Sequence, residues 1–296
     1  MQNLEVKLEH IHGAIVLGVV GGVLGSFFIN VNTRMTILRK KYITKNWIRV
    51  VETGLFAVLT VSTYTAFTVF MAKCLEINPD TSDEKKDQLR RWTCDEGFYN
   101  PLATLFFNTE GGTIRSLFHD DGNYKTEPAH LVIFIGCWYL FTITTYGVWI
   151  PAGLFLPGII MGGALGRLYT YMIQDLFDYE DVNEMQQNAL LGAAAMLSGY
   201  CRMTYSLNVM LLETTQSINL FIPILVTMLT SYLTANFFNF SLYNRALRNK
   251  QVPMLKDNVP EMNINMRAKV IMKEDIMALS LIPTVEEIGN ALSFGY

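Results

Sequence analysis

The sequence predicts an all-α, multi-pass membrane protein in which at least one helix is broken within the bilayer. Of its 296 residues, 51% are hydrophobic and 17% are charged, and the mean hydropathy is +0.25. A soluble globular domain carries about 25% charged residues, so this composition is typical of a membrane protein. Proline and glycine are dense at 146–158, inside a long apolar segment. In hydrocarbon, a helix that stops and restarts is tolerated only where its freed main-chain groups face protein or a water-filled cavity.

Long apolar runs predict the spanning helices, since each run is near or above the roughly 20 residues that a span needs. They cover Ala14–Val31, Gly54–Cys74, Leu131–Gly163, Leu191–Leu212 and Ile218–Phe240. The run from Leu131 is long enough for two helices, and Arg202 divides the run from Leu191 into two. Between Gly18 and Gly25, glycines recur at the spacing that lets membrane helices pack closely. A polar loop is predicted at 174–188.

The basic residues predict the topology. They crowd the connection after the first run and the segment after the last, at Arg34, Arg39, Lys40, Lys41, Lys45, Arg49, Arg245, Arg248, Lys250, Lys256 and Arg267. Because basic loops stay on the cytosolic side, both segments should be cytosolic and the loops at 75–100 and 108–130 should be luminal. Cys74 and Cys94 flank the first of these loops and could either form a disulfide there or stay reduced. The net charge of -3 argues against nucleic acid as a partner.

The broken segment is the candidate site. Pro151 and Pro157 interrupt the run and Gly153 keeps side-chain bulk away from the turn, so the amides of Leu154 and Phe155 are candidates for unpaired donors at a helix start. Such amides, with the helix dipole behind them, attract an anion without a full positive charge, which lets the anion leave again. The alternative, a structural kink whose amides are satisfied within the protein, stays open on spacing alone.

At this point the residues resemble a known family. The sequence from Gly153 to Pro157 is similar to the GxFxP motif of the CLC chloride channels and chloride/proton exchangers. Further segments resemble the vacuolar and lysosomal branch of that family in the family's order, namely Gly21–Asn30, Phe98–Asn100, Phe106–Thr109, Leu191–Ala195 and Ser241–Tyr243. The resemblance covers nearly the whole chain.

The resemblance implies a CLC-type inverted-repeat fold and a division of the chain. Residues 1–250 would be the second half of the membrane domain, 251–267 a cytosolic linker, and 268–296 the truncated α+β start of a first CBS domain. The implied anion ligands are the amides of Leu154 and Phe155 and the hydroxyl of Tyr243, with Gly153 and Pro157 shaping the motif. Without the family, Tyr243 would be interpreted as an interfacial anchor.

The resemblance also implies the function. The protein would transport chloride across a membrane, as a voltage-gated channel or a chloride/proton antiporter, in an endolysosomal or vacuolar membrane. Its partners would be chloride, the lipid bilayer and a second copy of itself, with 191–212 and 218–240 at the dimer contact. It implies no cofactor in this chain, although complete CBS domains could bind a nucleotide.

The family's gating glutamate loop, central serine loop and internal proton glutamate have no counterpart here, so the choice between channel and exchanger stays open. Glu52 is interpreted as an interfacial cap, and Glu213 as a structural polar contact, not a proton relay.

Two other functional classes are weighed against transport. An intramembrane enzyme is disfavoured because the predicted spans lack a paired Ser and His or paired aspartates, and the four histidines lie outside them. A truncated, nonconducting fragment that acts only as an assembly partner is the main alternative. It applies if Met1 is the true start, because half of the ion site would then be absent. The polar segment Met1–His12, which would be luminal with no preceding span, indicates a fragment or a truncated gene model.

Overall fold

The computed structural model describes residues 10–71, 73–77, 86, 89–118, 126–177, 182–215, 218–252, 266–272 and 283–293. The chain divides into two compact units, Met1–Lys250 and Gln251–Tyr296. Most of the polar N-terminal segment and most of the 251–267 linker therefore lie outside the described residues.

Among its described residues, the regular secondary structure of the first unit is helical apart from one short two-stranded antiparallel sheet. In chain order its elements are α1 (His10–Tyr42), α2 (Asn46–Phe70), β1 (Leu75–Glu76), β2 (Phe98–Tyr99), α3 (Pro101–Phe106), α4 (Glu110–Phe118), α5 (Pro128–Thr145), α6 (Phe155–Phe177), α7 (Val182–Cys201), α8 (Tyr205–Thr215), a 3-10 turn (Ile218–Leu220), α9 (Phe221–Phe238) and α10 (Leu242–Asn249).

Within the described ranges, the segments long and apolar enough to cross a membrane are Ile11–Tyr42, Asn46–Phe70, Pro128–Thr145 and Phe221–Asn249, the last of which includes both α9 and α10. The two predicted divisions are confirmed. The run from Leu131 forms α5 and α6, and the run from Leu191 ends α7 at Cys201 and restarts as α8, with Arg202 in a left-handed conformation at φ 57° between them.

Three expectations were wrong in their boundaries. The basic residues from Arg34 to Lys41 lie on the last turns of α1, not in a connection, because the helix continues to Tyr42. The predicted polar loop at 174–188 is largely helical, since α6 runs to Phe177 and α7 starts at Val182. The predicted loop at 108–130 ends before residue 130, since α5 begins at Pro128 and includes His130 in its first turn. Proline is suited to this first-turn position because its missing N–H costs nothing there.

Glycines let α1 approach α7 and α9, as the spacing predicts. A Cβ at Gly21 would lie 2.7 Å from the main chain of Ala195, and one at Gly25 would lie 2.5 Å from that of Gly199. A Cβ at Gly22 would lie 2.7 Å from the carbonyl oxygen of Ser231. Main chains therefore contact one another directly, and this packing replaces the hydrophobic effect that is missing between helices in lipid.

Buried serine hydroxyls join the same helices. Ser231 Oγ donates to the Ala195 carbonyl at 2.7 Å, and Ser198 Oγ donates to the Met228 carbonyl at 3.0 Å. Both serines are fully buried, so these bonds satisfy groups that lipid could not. The core of the unit lies where α1, α6, α7 and α9 meet.

The described part of the predicted luminal segment at 75–100 is closed by a disulfide at its ends. Cys74 and Cys94 are bonded, which decides the alternative that the sequence leaves open. Beside them β1 pairs with β2, and Asn100 joins two helices: its side-chain oxygen accepts from the amides of Leu102 and Ala103, while its nitrogen donates to the Thr68 carbonyl at 3.2 Å. This segment therefore connects the end of α2 to the start of α3.

The basic ends of α1 and α10 lie together. Lys40 Nζ donates to the Asn249 carbonyl at 3.0 Å. This contact is the arrangement expected if both basic segments face the same side of the membrane.

The second unit contains two described helices, α11 (Ala268–Ile271) and α12 (Val285–Ser293). Thr284 and Glu287 form a capping box at the start of α12: each side chain accepts a hydrogen bond from the other residue's amide. The strand expected within 268–296 is not seen in 268–272 or 283–293, and residues 273–282 lie outside the described part.

Candidate functional site

The predicted helix break is confirmed. Helix α5 ends at Thr145, the chain continues without helix through residue 154, and α6 starts at Phe155. The turn after α5 contains Gly147 at φ +93°, a conformation that side-chain-bearing residues rarely adopt. A Cβ at Gly147 would also lie 3.1 Å from the Thr36 hydroxyl of α1. The positive φ therefore favours glycine at this turn, and an added Cβ would also be tightly packed against Thr36.

The start of α6 offers main-chain donors. The first intrahelical bond runs from the Gly158 amide to the Leu154 carbonyl at 3.0 Å. Among the described contacts, the amides of Leu154, Phe155 and Leu156 have no hydrogen-bond acceptor, and Pro157 has no N–H to offer. Unpaired N–H groups at the positive end of a 23-residue helix form an anion-binding arrangement. The alternative of a kink with its amides satisfied internally has no support from the described contacts.

Tyr200 fixes this helix start, and sequence reasoning missed it. Its hydroxyl donates to the Leu154 carbonyl at 2.7 Å, and its ring is fully buried 5.6 Å from the ring of Phe28. A Cβ at Gly158 would lie 1.8 Å from the Tyr200 hydroxyl oxygen, so that glycine leaves the space the tyrosine needs. The available signal was an aromatic residue that ends a helix otherwise rich in small residues.

Tyr243 lies at the start of α10. Ser241 caps this helix by accepting from the Asn244 amide at 3.3 Å. The Tyr243 side chain is 45% exposed, and its hydroxyl accepts from the Cys201 thiol at 3.9 Å. The hydroxyl proton has no acceptor among the described contacts, so it is available as a neutral donor.

The structure brings the predicted anion ligands into one region: the amides at the start of α6 form the amide arm, and Tyr243 at the start of α10 forms the tyrosine arm. Leu154, Tyr200, Cys201 and Leu242 belong to one buried cluster, and Tyr243 contacts that cluster through Cys201. No described hydrogen bond joins Tyr243 directly to the start of α6. The end of α7 therefore lies between the amide arm and the tyrosine arm and contacts both.

Gly153 does not have the steric role that the motif predicts. A Cβ there would meet no heavy atom of the described chain within 4 Å, and its φ is not positive. Gly153 and Pro157 instead line, with Leu154, a cavity of about 440 Å³ beside the helix start. Aromatic and threonine residues of α2, α3 and α5 and Glu110 also line it.

The acids of the spans do not form a site. Glu52 is not an interfacial cap: it lies in the second turn of α2 and forms a 2.6 Å ion pair with Arg39 of α1. Glu213 is exposed on α8 and makes no described polar contact, so the structural contact expected for it is absent from this part of the chain. The described residues contain no cluster of three or more histidine, cysteine or acidic side chains that could hold a metal.

Comparison with known proteins decides the family. The model of the voltage gated chloride channel family matches residues 1–236. The chain belongs to this family. Proteins of the family are membrane-embedded channels and transporters, not enzymes, and chloride is the ion they move.

Relatives in distant organisms are similar over nearly the whole chain. Chloride channel protein C of Dictyostelium discoideum is 30% identical over 94% of this chain and 37% of its own length. H(+)/Cl(-) exchange transporter 7 of Homo sapiens is 32% identical over 99% of this chain and 36% of its own length. Chloride channel protein CLC-d of Arabidopsis thaliana is 29% identical over 94% and 36%. These similarities confirm the vacuolar and lysosomal-like branch; the chain spans about a third of each relative.

Solved structures confirm the all-α CLC fold. A eukaryotic CLC transporter aligns with a TM-score of 0.58 and 22% identity, covering 87% of this chain and 39% of that one. A slow cyanobacterial Cl-/H+ antiporter aligns with a TM-score of 0.59 and 15% identity, covering 83% and 48%.

Proposed function

We propose that this chain supplies one side of a chloride pathway and that the full-length protein carrying it transports chloride as a CLC channel or chloride/proton antiporter. The observation that carries the proposal is the start of α6, where the amides of Leu154 and Phe155 have no acceptor among the described contacts. The unused hydroxyl proton of Tyr243 supplies the third donor. Such neutral donors hold chloride weakly enough to release it.

The proposed residues divide into ligands and supporting residues. Leu154, Phe155 and Tyr243 bind the anion, Pro157 shapes the helix start, and Gly153 lines the cavity beside it. Proline at this position removes an N–H that would otherwise need an acceptor, and the helix dipole adds a favourable potential at the same end.

Flux measurement tests the proposal. The full-length protein is reconstituted in vesicles and chloride efflux is followed with an electrode, while an internal dye reports pH. We expect chloride efflux, and proton uptake driven by the chloride gradient would identify an antiporter. Protein that inserts correctly but gives no chloride flux would contradict the proposal and favour the assembly-partner alternative.

We further propose a homodimer formed through α8 and α9. Of the segments expected at the contact, 191–201 are buried within the protomer on α7, which leaves α8 and 218–240. One face of α9 exposes large apolar side chains at spacings of three and four residues, at Ile222, Leu225, Leu229 and Leu233. Light scattering of the purified full-length protein in detergent should give twice the protomer mass, and a monomer mass would contradict this arrangement.

The domain division stays a proposal as well: 1–250 as the second half of the membrane domain, 251–267 as linker and 268–296 as the start of a CBS domain, where a complete pair of such domains could bind a nucleotide. Residence in an endolysosomal or vacuolar membrane is proposed from the similarity to that branch of the family, and the Cys74–Cys94 disulfide suits the non-cytosolic side of such a membrane without distinguishing it from others. Co-localisation of the tagged protein with organelle markers tests the location.

A further inference from the structure

The C-terminal carbonyls of α5 are bound by side chains of α1. Asn32 Nδ2 donates to the Ile143 carbonyl at 2.9 Å and to the Tyr146 carbonyl at 2.7 Å. Arg39 donates to the Tyr146 carbonyl at 3.2 Å and also to the Thr144 carbonyl. Carbonyls at a helix end have no intrahelical partner, so these two side chains cap α5 across 105 to 114 residues of sequence.

Arg39 is a buried charge with a dedicated partner. Its side chain is 6% exposed, and its Nε donates to Glu52 of α2 at 2.6 Å. Its guanidinium also lies 5.5 Å from the ring centroid of Phe56. A buried guanidinium is costly unless its donors are bound, and here carbonyls and a carboxylate bind them on two sides.

The same pair of helices holds the chain just beyond this cap. Arg49, one turn before Glu52 on α2, places its guanidinium 3.6 Å from the ring centroid of Trp149. At the far end of the nonhelical segment, Tyr200 binds the Leu154 carbonyl. The segment that leads to the anion-binding amides is therefore fixed at its beginning by Arg39, in its middle by Arg49 and at its end by Tyr200.

We propose that Arg39, held by Glu52, is a positioning residue for the anion site. By capping α5 it fixes the point at which the main chain leaves that helix, and thereby the direction of the Leu154 and Phe155 amides. It does not touch the anion. The inference rests on the proposed function for its effect on chloride, although its effect on the segment is independent of transport.

Two variants in the full-length protein test this role. Arg39→Gln removes the charge and the bidentate geometry, whereas Arg34→Gln removes an exposed charge from the same helix as the matched control. Hydrogen–deuterium exchange should be faster at 146–156 in Arg39→Gln only. Chloride affinity measured by calorimetry should fall roughly tenfold in that variant, the scale of one lost charge-assisted hydrogen bond.

A shift in the ratio of chloride to nitrate affinity separates positioning from loss of folded protein, because unfolding lowers both equally. Arg39→Lys should recover part of the affinity, since an ammonium can bind either Glu52 or a carbonyl but lacks the planar fork. If Arg39→Gln does not fold, Glu52→Gln tests the same contact with the arginine retained, and we expect the same changes to a smaller extent.

Unchanged exchange at 146–156 in folded Arg39→Gln or Glu52→Gln would overturn the inference whatever the protein transports. Altered exchange with unchanged affinity and selectivity would overturn it too, since Arg39 would then be structural only. An unmodified protein that binds no chloride would contradict the proposed function instead, and the exchange result would still decide whether Arg39 fixes the segment.

Discussion

The two helix starts that approach the proposed anion site are built differently. The start of α6 is anchored at Leu154, which is 6% exposed and whose carbonyl is bound by Tyr200, while Phe155 is 39% exposed. The chain before it is held by α1 and α2. The other start belongs to α10, a short helix that Ser241 caps and in which Tyr243 is 45% exposed. Main-chain donors cannot be re-aimed by a rotamer change, so they need a rigid surround, whereas a tyrosine hydroxyl adjusts by rotating.

Both starts nevertheless follow a helix end that an arginine caps. Arg39 binds carbonyls at the end of α5, and Arg202 donates to the Ala235 carbonyl near the end of α9 at 2.9 Å. Arg202 also binds Asn236 at 2.9 Å. The comparison teaches that the fold fixes where each of the two segments enters the site. It fixes the hydrogen-bond donors themselves only at the start of α6.

The largest effect on stability and chloride affinity is expected where the start of α6 packs against the end of α7. Gly158→Ala places a methyl group 1.8 Å from the Tyr200 hydroxyl oxygen and 2.9 Å from a methyl carbon of Leu197. Tyr200 must move and release Leu154, at an overpacking cost of about 1–3 kcal/mol. We expect a lower unfolding temperature and a tenfold or greater loss of chloride affinity, measured by thermal unfolding and calorimetry.

The matched control is Gly153→Ala, five residues earlier in the same motif. Its Cβ would meet nothing within 4 Å in the described chain, so stability should be unchanged. Equal destabilisation by both substitutions would show that the packing of Tyr200 does not distinguish the two positions.

Removal of the Tyr200 hydroxyl, which holds the start of α6, should have the next largest effect on chloride affinity. Tyr200→Phe keeps the buried ring but deletes the donor to the Leu154 carbonyl. The lost hydrogen bond costs about 1 kcal/mol, and chloride affinity should fall several-fold because the helix start is less fixed. Affinity and flux equal to those of the unmodified protein would place the constraint elsewhere.

Removal of the Tyr243 hydroxyl, at the start of α10, should have a smaller effect on stability but act on the anion directly. Tyr243→Phe leaves the half-exposed ring in place, so the unfolding temperature should not change. Tyr243→Ala also removes the ring, and should alter anion occupancy or proton coupling further. Chloride titration of the two variants measures the contributions of the hydroxyl and of the ring. Unchanged chloride binding in both variants would show that Tyr243 is not an anion ligand.

The smallest effect is expected far from both helix starts. Glu127, just before α5, is bonded to Lys73, which lowers the pKa of that carboxyl. A lowered folded-state pKa contributes stability above the unfolded value of about 4.3, and this is lost as pH falls through the folded pKa. Because the pair is exposed, Glu127→Gln should flatten the acid limb of the stability profile only slightly, without changing chloride affinity at neutral pH.

How much the sequence predicts differs between local and distant features. The break at 146–154 and the division near Arg202 were predictable, because proline, glycine and a charge act on their own stretch of chain. The roles of Arg39 and Tyr200 were not, since their bonds join residues 107 and 46 positions apart. The end of α1 was not predictable either, because the apolar run stops at Val31, and the basic residues after it are good helix formers but are also typical of cytosolic loops. Tyr243 was identified only through the family resemblance, since an aromatic residue near a span end is ordinarily an interfacial anchor.

The most direct test of the central claim is the position of a bound halide. Crystals of the full-length protein soaked in bromide would reveal the ion by its anomalous scattering. The account predicts a peak within hydrogen-bonding distance of the Leu154 and Phe155 amides and the Tyr243 hydroxyl, weakened in Tyr243→Phe. A bromide peak elsewhere in the membrane domain, with these amides bonded to protein groups, would contradict it.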